Sequence, residues 1–100
     1  MWKDMERVAA RRLNGRRVGP SGTSTADVVN ERLAVECKSR KSLPKLITEA
    51  MAQAVRAAAP GQTPLVILHE KGKRHNDDIV CMRLIDYQDW YGQIDIAEER

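Results

Sequence analysis

The sequence predicts an α/β fold with its elements in the order αβββαββα. Apolar residues recur at helical spacing in three segments, and short apolar runs bounded by turn residues indicate strands between them. The succession of strand, helix and strand in the middle of the chain favours a right-handed crossover that joins parallel strands. A length of 100 residues is typical of a single domain, so we expect one domain over residues 1–100, with residues 93–100 as a tail.

Composition limits the core and suggests a polyanionic partner. The chain is 42% apolar and has no Phe, so the predicted core is aliphatic and rich in alanine. Residues 1–50 carry eleven Lys or Arg against six Asp or Glu, whereas residues 51–100 carry six against eight. A basic half followed by an acidic half favours a polyanion on the first half, although a solvated surface with ordinary charge scatter explains the same counts.

The first helix is predicted over residues 3–14. Asn14 and Gly15 form a typical helix end, and Glu6 lies on the buried side of the helix or at its margin. Two interpretations of Glu6 stay open: a glutamate favoured near the N-terminus by the helix dipole, or a carboxylate aimed at a metal site. The apolar stripe of the helix consists of Trp2, Met5, Ala9 and Leu13.

A polar loop follows over residues 16–25, with a short strand predicted at its start. Gly, Pro and Ser dominate the loop, and its amides and hydroxyls lie beside arginines that are suited to contact phosphates. Further basic residues follow the next two strands. The alternative is an ordinary solvated loop. The predicted phosphate contacts are Arg16, Arg17, Ser21, Arg40 and Lys41.

A predicted β-hairpin is the centre of the chain. Residues 26–29 and 33–37 form its strands, and the polar residues 30–32 form its turn. We take Val28 to pair with Val35, a register that places Val28, Val35 and Cys37 on one face of the hairpin.

Three charged side chains meet on the other face of this hairpin. In the predicted register Asp27 lies opposite Glu36, at about 5 Å, and Lys38 shares the face of Glu36 because strand side chains alternate. Two adjacent carboxylates repel each other unless a cation lies between them. A divalent ion suits them better than one lysine does, and oxygen ligands favour Mg²⁺ or Mn²⁺. The alternative is a surface salt-bridge cluster.

A second helix is predicted over residues 42–58. Ser42 is suited to cap it, and Pro44 fits its first turn. The helix carries an apolar stripe that is expected to be core. The stripe consists of Leu43, Leu46, Ile47, Ala50, Met51, Ala54 and Val55.

The remainder of the chain predicts two strands and a last helix. Residues 64–69 form a continuous apolar run, which is typical of a buried central strand, and residues 78–84 form the next strand. Asp86 is suited to cap a helix that ends at Gly92. The aromatic stripe of this helix, Tyr87, Trp90 and Tyr91, is expected to pack on the sheet or on a partner subunit.

The cysteines and histidines predict no zinc motif. Cys37 and Cys81 lie in predicted strands, there is no C-x-x-C, and neither His69 nor His75 has ligand spacing to a cysteine, so neither histidine is expected to bind a metal. The first residues lack the apolar run of a signal peptide, and no apolar stretch is long enough to span a bilayer. The sequence therefore predicts a cytoplasmic protein with reduced thiols and no membrane partner.

The order of these elements resembles the PD-(D/E)xK nuclease superfamily. A first helix with Glu6, a Gly-Pro-Ser-Gly loop, Asp27 and the triplet Glu36-Cys37-Lys38 before a helix are most similar to small archaeal-type Holliday junction resolvases and related phage nucleases. The resemblance covers residues 3–90. The chain departs from the motif at Ala26, where the motif has proline.

The resemblance implies a restriction-endonuclease-like mixed β-sheet flanked by helices. It also implies a catalytic set of Asp27, Glu36, Lys38 and Glu6, with Mg²⁺ (or Mn²⁺) held by Asp27, Glu36 and the backbone carbonyl of Cys37. Lys38 would orient or deprotonate the attacking water, and the loop serine would correspond to Ser21. The implied activity is DNA cleavage, on branched DNA and by a homodimer. A nicking, flap or restriction-type nuclease and a non-catalytic DNA-binding protein of the same fold are the alternatives.

Overall fold

The computed structural model describes residues 2–18 and 26–91, with side chains from Asp4 onward. The general α/β class is confirmed. The predicted contact Ser21, residues 93–100 and the side chain of Trp2 lie outside the described part. In chain order the elements are α1 (Trp2–Arg12), β1 (Arg16–Arg17), β2 (Val28–Val29), β3 (Ala34–Val35), α2 (Lys45–Ala57), β4 (Val66–Leu68), a 3₁₀ turn (His75–Asp77), β5 (Ile79–Cys81) and α3 (Leu84–Tyr91).

The chain separates into two compact units. The first unit comprises Met1–Lys41 together with Tyr91–Arg100, and the second comprises Ser42–Trp90. Each unit has its own antiparallel sheet, with strand order β1-β2-β3 in the first and β4-β5 in the second.

In the first unit, α1 packs on β1 and β2. Its buried apolar side chains are Ala9, Leu13 and Val28, of which Val28 is only 1% exposed. Helix α1 ends as predicted, because Asn14 adopts a left-handed φ of 53° and the Gly15 amide donates to the Ala10 carbonyl at 2.7 Å. The chain then enters β1, in which Arg17 pairs with Val28.

The register of the central hairpin is confirmed. Val28 pairs with Val35, and Val29 pairs with Ala34. The turn is fixed by Asn30, whose side-chain oxygen accepts the amides of Arg32 and Leu33, both at 2.8 Å.

Asn30 also ties this hairpin to the first helix. Its Nδ2 donates to the Leu13 carbonyl at 2.8 Å, so one side chain closes the turn and satisfies a carbonyl at the end of α1.

In the second unit, β4 and β5 form an antiparallel pair, and α2 packs on β4. The parallel crossover from β3 to β4 is not among the strand pairings of the described residues. The predicted burial of β4 is wrong: Ile67 is exposed, because a sheet of two three-residue strands has too little surface for both of its faces to be covered.

The predicted burial of the α2 stripe is also wrong. No residue of α2 is buried, and Leu46 is 69% exposed. Periodicity identifies the apolar face of a helix, but the small second unit does not provide enough surface to cover that face. The helix begins after Pro44 without a side-chain cap, so the predicted capping role of Ser42 is wrong as well.

The last helix differs from its prediction at the start. It begins at Leu84, and Asp86 lies in its first turn, where it accepts Arg83 Nε at 2.6 Å instead of capping the helix. Tyr87 and Trp90 line a cavity of ≈ 410 Å³ with Leu65 and Val80, but Trp90 is 71% exposed. None of the helices in residues 2–18 and 26–91 has the length and apolar character that a membrane crossing needs.

Candidate metal centre and nucleic-acid interface

Backbone hydrogen bonds hold Asp27 on two sides at the open end of the hairpin. The paired ladder ends at Val28 and Val35, and beyond it the Asp27 amide donates to the Val35 carbonyl at 2.8 Å. The Asp27 carbonyl accepts the Val18 amide at 2.9 Å. Val35 is paired with Val28, so the hydrogen bond from the Asp27 amide to Val35 is irregular for an antiparallel ladder and resembles a β-bulge. A bulge changes the direction of the side chain at that position, which here is Asp27.

The re-aimed carboxylate of Asp27 reaches the neighbouring strand. Its Oδ2 accepts the backbone N–H of Cys37 at 2.8 Å, so the carboxylate is fixed against the segment Glu36 to Lys38. The sequence predicts Asp27 directly opposite Glu36. In the structure Asp27 lies just beyond the last pair, Val28 and Val35, and its side chain is bonded to the Cys37 amide.

Glu36 and Lys38 lie on one face of the chain after β3, as alternation predicts. Lys38 Nζ is 3.3 Å from Glu36 Oε2, and the two side chains are 74% and 56% exposed. An exposed pair of this kind contributes about 0–1 kcal/mol to stability. Its more important effect is that an ammonium group stays next to the carboxylate at a solvent-accessible position.

Glu6 is buried, with 7% of its side chain exposed, and forms an ion pair with Arg17. Arg17 donates to Glu6 Oε1 from both Nε and Nη2 at 3.2 Å. The pair joins α1 to β1, which accounts for the burial of Glu6 without a metal. Arg17 therefore directs its guanidinium to Glu6, whereas its neighbour Arg16 is exposed.

Three carboxylates affect the pKa of the Cys37 thiol. Burial raises the pKa of Cys37 above its ordinary value, and the negative charges of Asp27, Glu6 and Glu36 raise it further. The thiol is half-buried and forms no disulfide. All three predicted acidic site residues therefore lie within electrostatic range of one point, beside the last residues of the hairpin.

This acidic cluster can supply few protein ligands to a metal. Among the residues that the structure describes, no three of its carboxylate and thiol groups have ligand atoms within 4.8 Å of one another. Asp27 and Glu36 are thus two side-chain candidates, with the Cys37 carbonyl adjacent in the chain. Such a sparse set suits Mg²⁺, which keeps several waters and is bound through one or two carboxylates and substrate phosphates.

The basic residues predicted to contact phosphates divide into two groups. Arg16, Arg40 and Lys41 are exposed and available to a polyanion. Arg17 is engaged by Glu6. Ser21, in the Gly-Pro-Ser-Gly loop, falls in the range that the structure leaves undescribed.

A second cluster was not expected from the sequence. His69 Nδ1 lies 2.6 Å from Asp78 Oδ1, and His75 Nδ1 lies 3.1 Å from Asp78 Oδ2. These hydrogen bonds lower the pKa of the Asp78 carboxyl, with the His69 bond as the larger cause. The register of the β4–β5 hairpin could have indicated this cluster. Leu68 pairs with Ile79, so His69 and Asp78, the next residues toward the loop, lie opposite each other.

Comparison of the chain with known protein families, with curated proteins and with solved structures gives no match.

Proposed function

We propose that the chain is a metal-dependent DNA endonuclease that hydrolyses phosphodiester bonds. The observation that supports this most is the hydrogen bond from the Cys37 amide to the Asp27 carboxylate, since it joins Asp27 to the Glu36 and Lys38 segment. Two acidic groups and one ammonium thereby share the end of one hairpin. This combination is suited to a divalent ion and a phosphate.

In this proposal Asp27, Glu36 and the Cys37 carbonyl would hold Mg²⁺ (or Mn²⁺). A bound ion of this type makes its water a better nucleophile and offsets negative charge on the scissile phosphate. Lys38, 3.3 Å from Glu36, would orient the attacking water. Glu6 acts indirectly, because its carboxylate holds Arg17 and adds negative potential near Cys37.

The exposed arginines and lysine supply the DNA contacts of the proposal. Arg16, Arg40 and Lys41 belong to the same unit as Asp27 and Glu36, and their side chains are solvent-accessible. Phosphate contacts position a nucleic acid without reading its sequence. Binding that is salt-dependent and independent of sequence is therefore expected.

The substrate we propose is branched DNA, in particular a four-way junction, cut by a homodimer. A four-way junction has two-fold symmetry, so a resolvase needs two equivalent sites, which a symmetric dimer provides. A second copy would also cover apolar side chains that are exposed in the single chain, such as Leu46 and Ile79.

The test is strand cutting by the purified full chain on a labelled four-way junction and on linear duplex of the same sequence, with and without Mg²⁺. We expect cutting of the junction in preference to duplex, only when Mg²⁺ or Mn²⁺ is present. Sedimentation should show a dimer with the junction. Absence of cutting on every DNA in both metals would reject the enzyme, and a monomer both on and off DNA would reject the resolvase.

A flap, nicked or linear substrate that is cut better than the junction would favour another nuclease of the same chemistry. One observation favours the non-catalytic alternative: Asp27 and Glu36 already have protein partners, the Cys37 amide and Lys38. A protein that only binds DNA would retard the junction in a gel and leave it uncut in Mn²⁺.

A further inference from the structure

The hairpin of the second unit brings an imidazole and a carboxylate together. Strands β4 and β5 pair Leu68 with Ile79, and the next residues outward are His69 and Asp78. Their side chains meet at 2.6 Å, between His69 Nδ1 and Asp78 Oδ1. The two groups therefore bridge the strands at the point where the connecting loop begins.

The connecting loop returns a second imidazole to the same carboxylate. Gly72, with a left-handed φ of 88°, and the 3₁₀ turn reverse the chain, and the Asp78 amide donates to the His75 carbonyl at 3.0 Å. His75 Nδ1 then lies 3.1 Å from Asp78 Oδ2. The rings of His69 and His75 are stacked, with centroids 4.2 Å apart and an interplanar angle of 28°.

This arrangement aims two nitrogens at two oxygens of one carboxylate. Nitrogen and oxygen atoms that can bind a metal therefore already converge on one point. A neutral imidazole with its proton on Nε2 has a lone pair on Nδ1, so each ring can bind a cation through the nitrogen that faces Asp78.

The distances suit a small tetrahedral ion. Ligand atoms of His69, His75 and Asp78 lie within 4.8 Å of one another. Around Zn²⁺, with bonds of about 2.0–2.1 Å, neighbouring ligand atoms are about 3.3 Å apart. Small side-chain rotations would convert the present geometry into three ligands, and solvent reaches the cluster through an open cavity of ≈ 420 Å³, so water can complete the set.

We infer that His69, His75 and one oxygen of Asp78 form a Zn²⁺-binding site that ties the loop to both strands of the β4–β5 hairpin. Imidazole nitrogen favours Zn²⁺ over Mg²⁺ and Ca²⁺, which prefer oxygen. Two loop cations lie in this region: Arg74 is paired with Asp77 at 3.2 Å, which offsets its repulsion of a metal, and Lys73 lines the same cavity as His69 and Asp78. The site lies wholly in the second unit, shares no residue with the proposed nuclease site and is independent of it.

The test is calorimetric titration of the tag-free, chelator-treated full chain with Zn²⁺. We expect one equivalent to bind in excess Mg²⁺, and His75→Gln to weaken binding by at least about tenfold, since loss of even an outer partner of a ligand has an effect of that size. The matched control is Asp89→Asn, an exposed aspartate of α3 that should bind as tightly as the unaltered chain.

Three further measurements keep the outcome decisive. In NMR spectra of the unaltered chain, the ring signals of His69 and His75 should shift together as Zn²⁺ is added. A variant with Cys37→Ser and Cys81→Ser, and separately Asp27→Asn, should keep the affinity. Binding that is lost in the cysteine or Asp27 variants, unchanged in His75→Gln, or absent in the unaltered chain would overturn the inference.

Discussion

Asp27→Asn is expected to abolish metal-dependent strand cutting and to leave the fold intact. Asparagine retains a side-chain oxygen that can accept the Cys37 amide, so the hydrogen bond that closes the hairpin end is kept. The negative charge needed for a divalent ion is removed. If the ion supplies several kcal/mol of transition-state stabilisation, the cutting rate should fall by at least about 100-fold, since about 1.4 kcal/mol corresponds to a factor of ten. The measurement is the initial rate of junction cutting in saturating Mg²⁺.

Matched variants distinguish the loss of a carboxylate at the proposed metal site from the loss of a carboxylate elsewhere on the chain. Asp4→Asn makes the same chemical change at an exposed position of α1 and should cut at the rate of the unaltered chain. Glu36→Gln should be as defective as Asp27→Asn, whereas Glu31→Gln, in the exposed turn at the other end of the hairpin, should be fully active. Cutting by well-folded Asp27→Asn at the original rate would exclude this carboxylate from the reaction.

Gly15→Ala is expected to destabilise the first unit by about 1–3 kcal/mol, the usual range for an overpacked core. A Cβ at position 15 would lie 2.7 Å from Val28 Cγ1 and 3.0 Å from the Val29 carbonyl oxygen. Val28 is the most deeply buried side chain described, so it has little room to move away. Amide hydrogen exchange of Val28 and Val35 measures the loss within this unit.

A double variant identifies the cause of that loss. Val28→Ala removes Cγ1, so Gly15→Ala should cost less in a Val28→Ala background than in the unaltered chain. Gly61→Ala is a useful comparison, because Gly61 has a positive φ of 87° but nothing within 4 Å of its added Cβ. Exchange rates unaltered by Gly15→Ala, or additive losses in the double variant, would contradict the close packing of α1's end on β2.

The central hairpin was predictable because several local signals agree on it. The alternation of apolar residues fixes the pairing of Val28 with Val35, and Asn30 supplies the turn chemistry. The end of α1 at Asn14 followed from the same type of signal. The bulge-like bond of the Asp27 amide was not predictable, because it depends on how β1 and β3 both pair with this residue.

Long-range packing could not be predicted from the pattern of one chain. The stripe of α2 is apolar and yet exposed, since periodicity gives the face of a helix and not the element that covers it. The sequence of α1 leaves two roles open for Glu6, because its partner Arg17 comes from a different element. Spacing to cysteine does not reveal the histidine cluster, because hairpin register brings His69 to Asp78.

Paramagnetic broadening by Mn²⁺ in NMR spectra of the full chain without DNA tests directly whether a metal ion binds at the end of the hairpin. A bound ion broadens signals close to it, so its position is read without any assay of activity. We expect the amide signals of Asp27, Glu36 and Cys37 to broaden first, and Asp27→Asn to remove the effect. Broadening that spares these residues, or that is confined to His69, His75 and Asp78, would contradict a metal centre at the end of the hairpin.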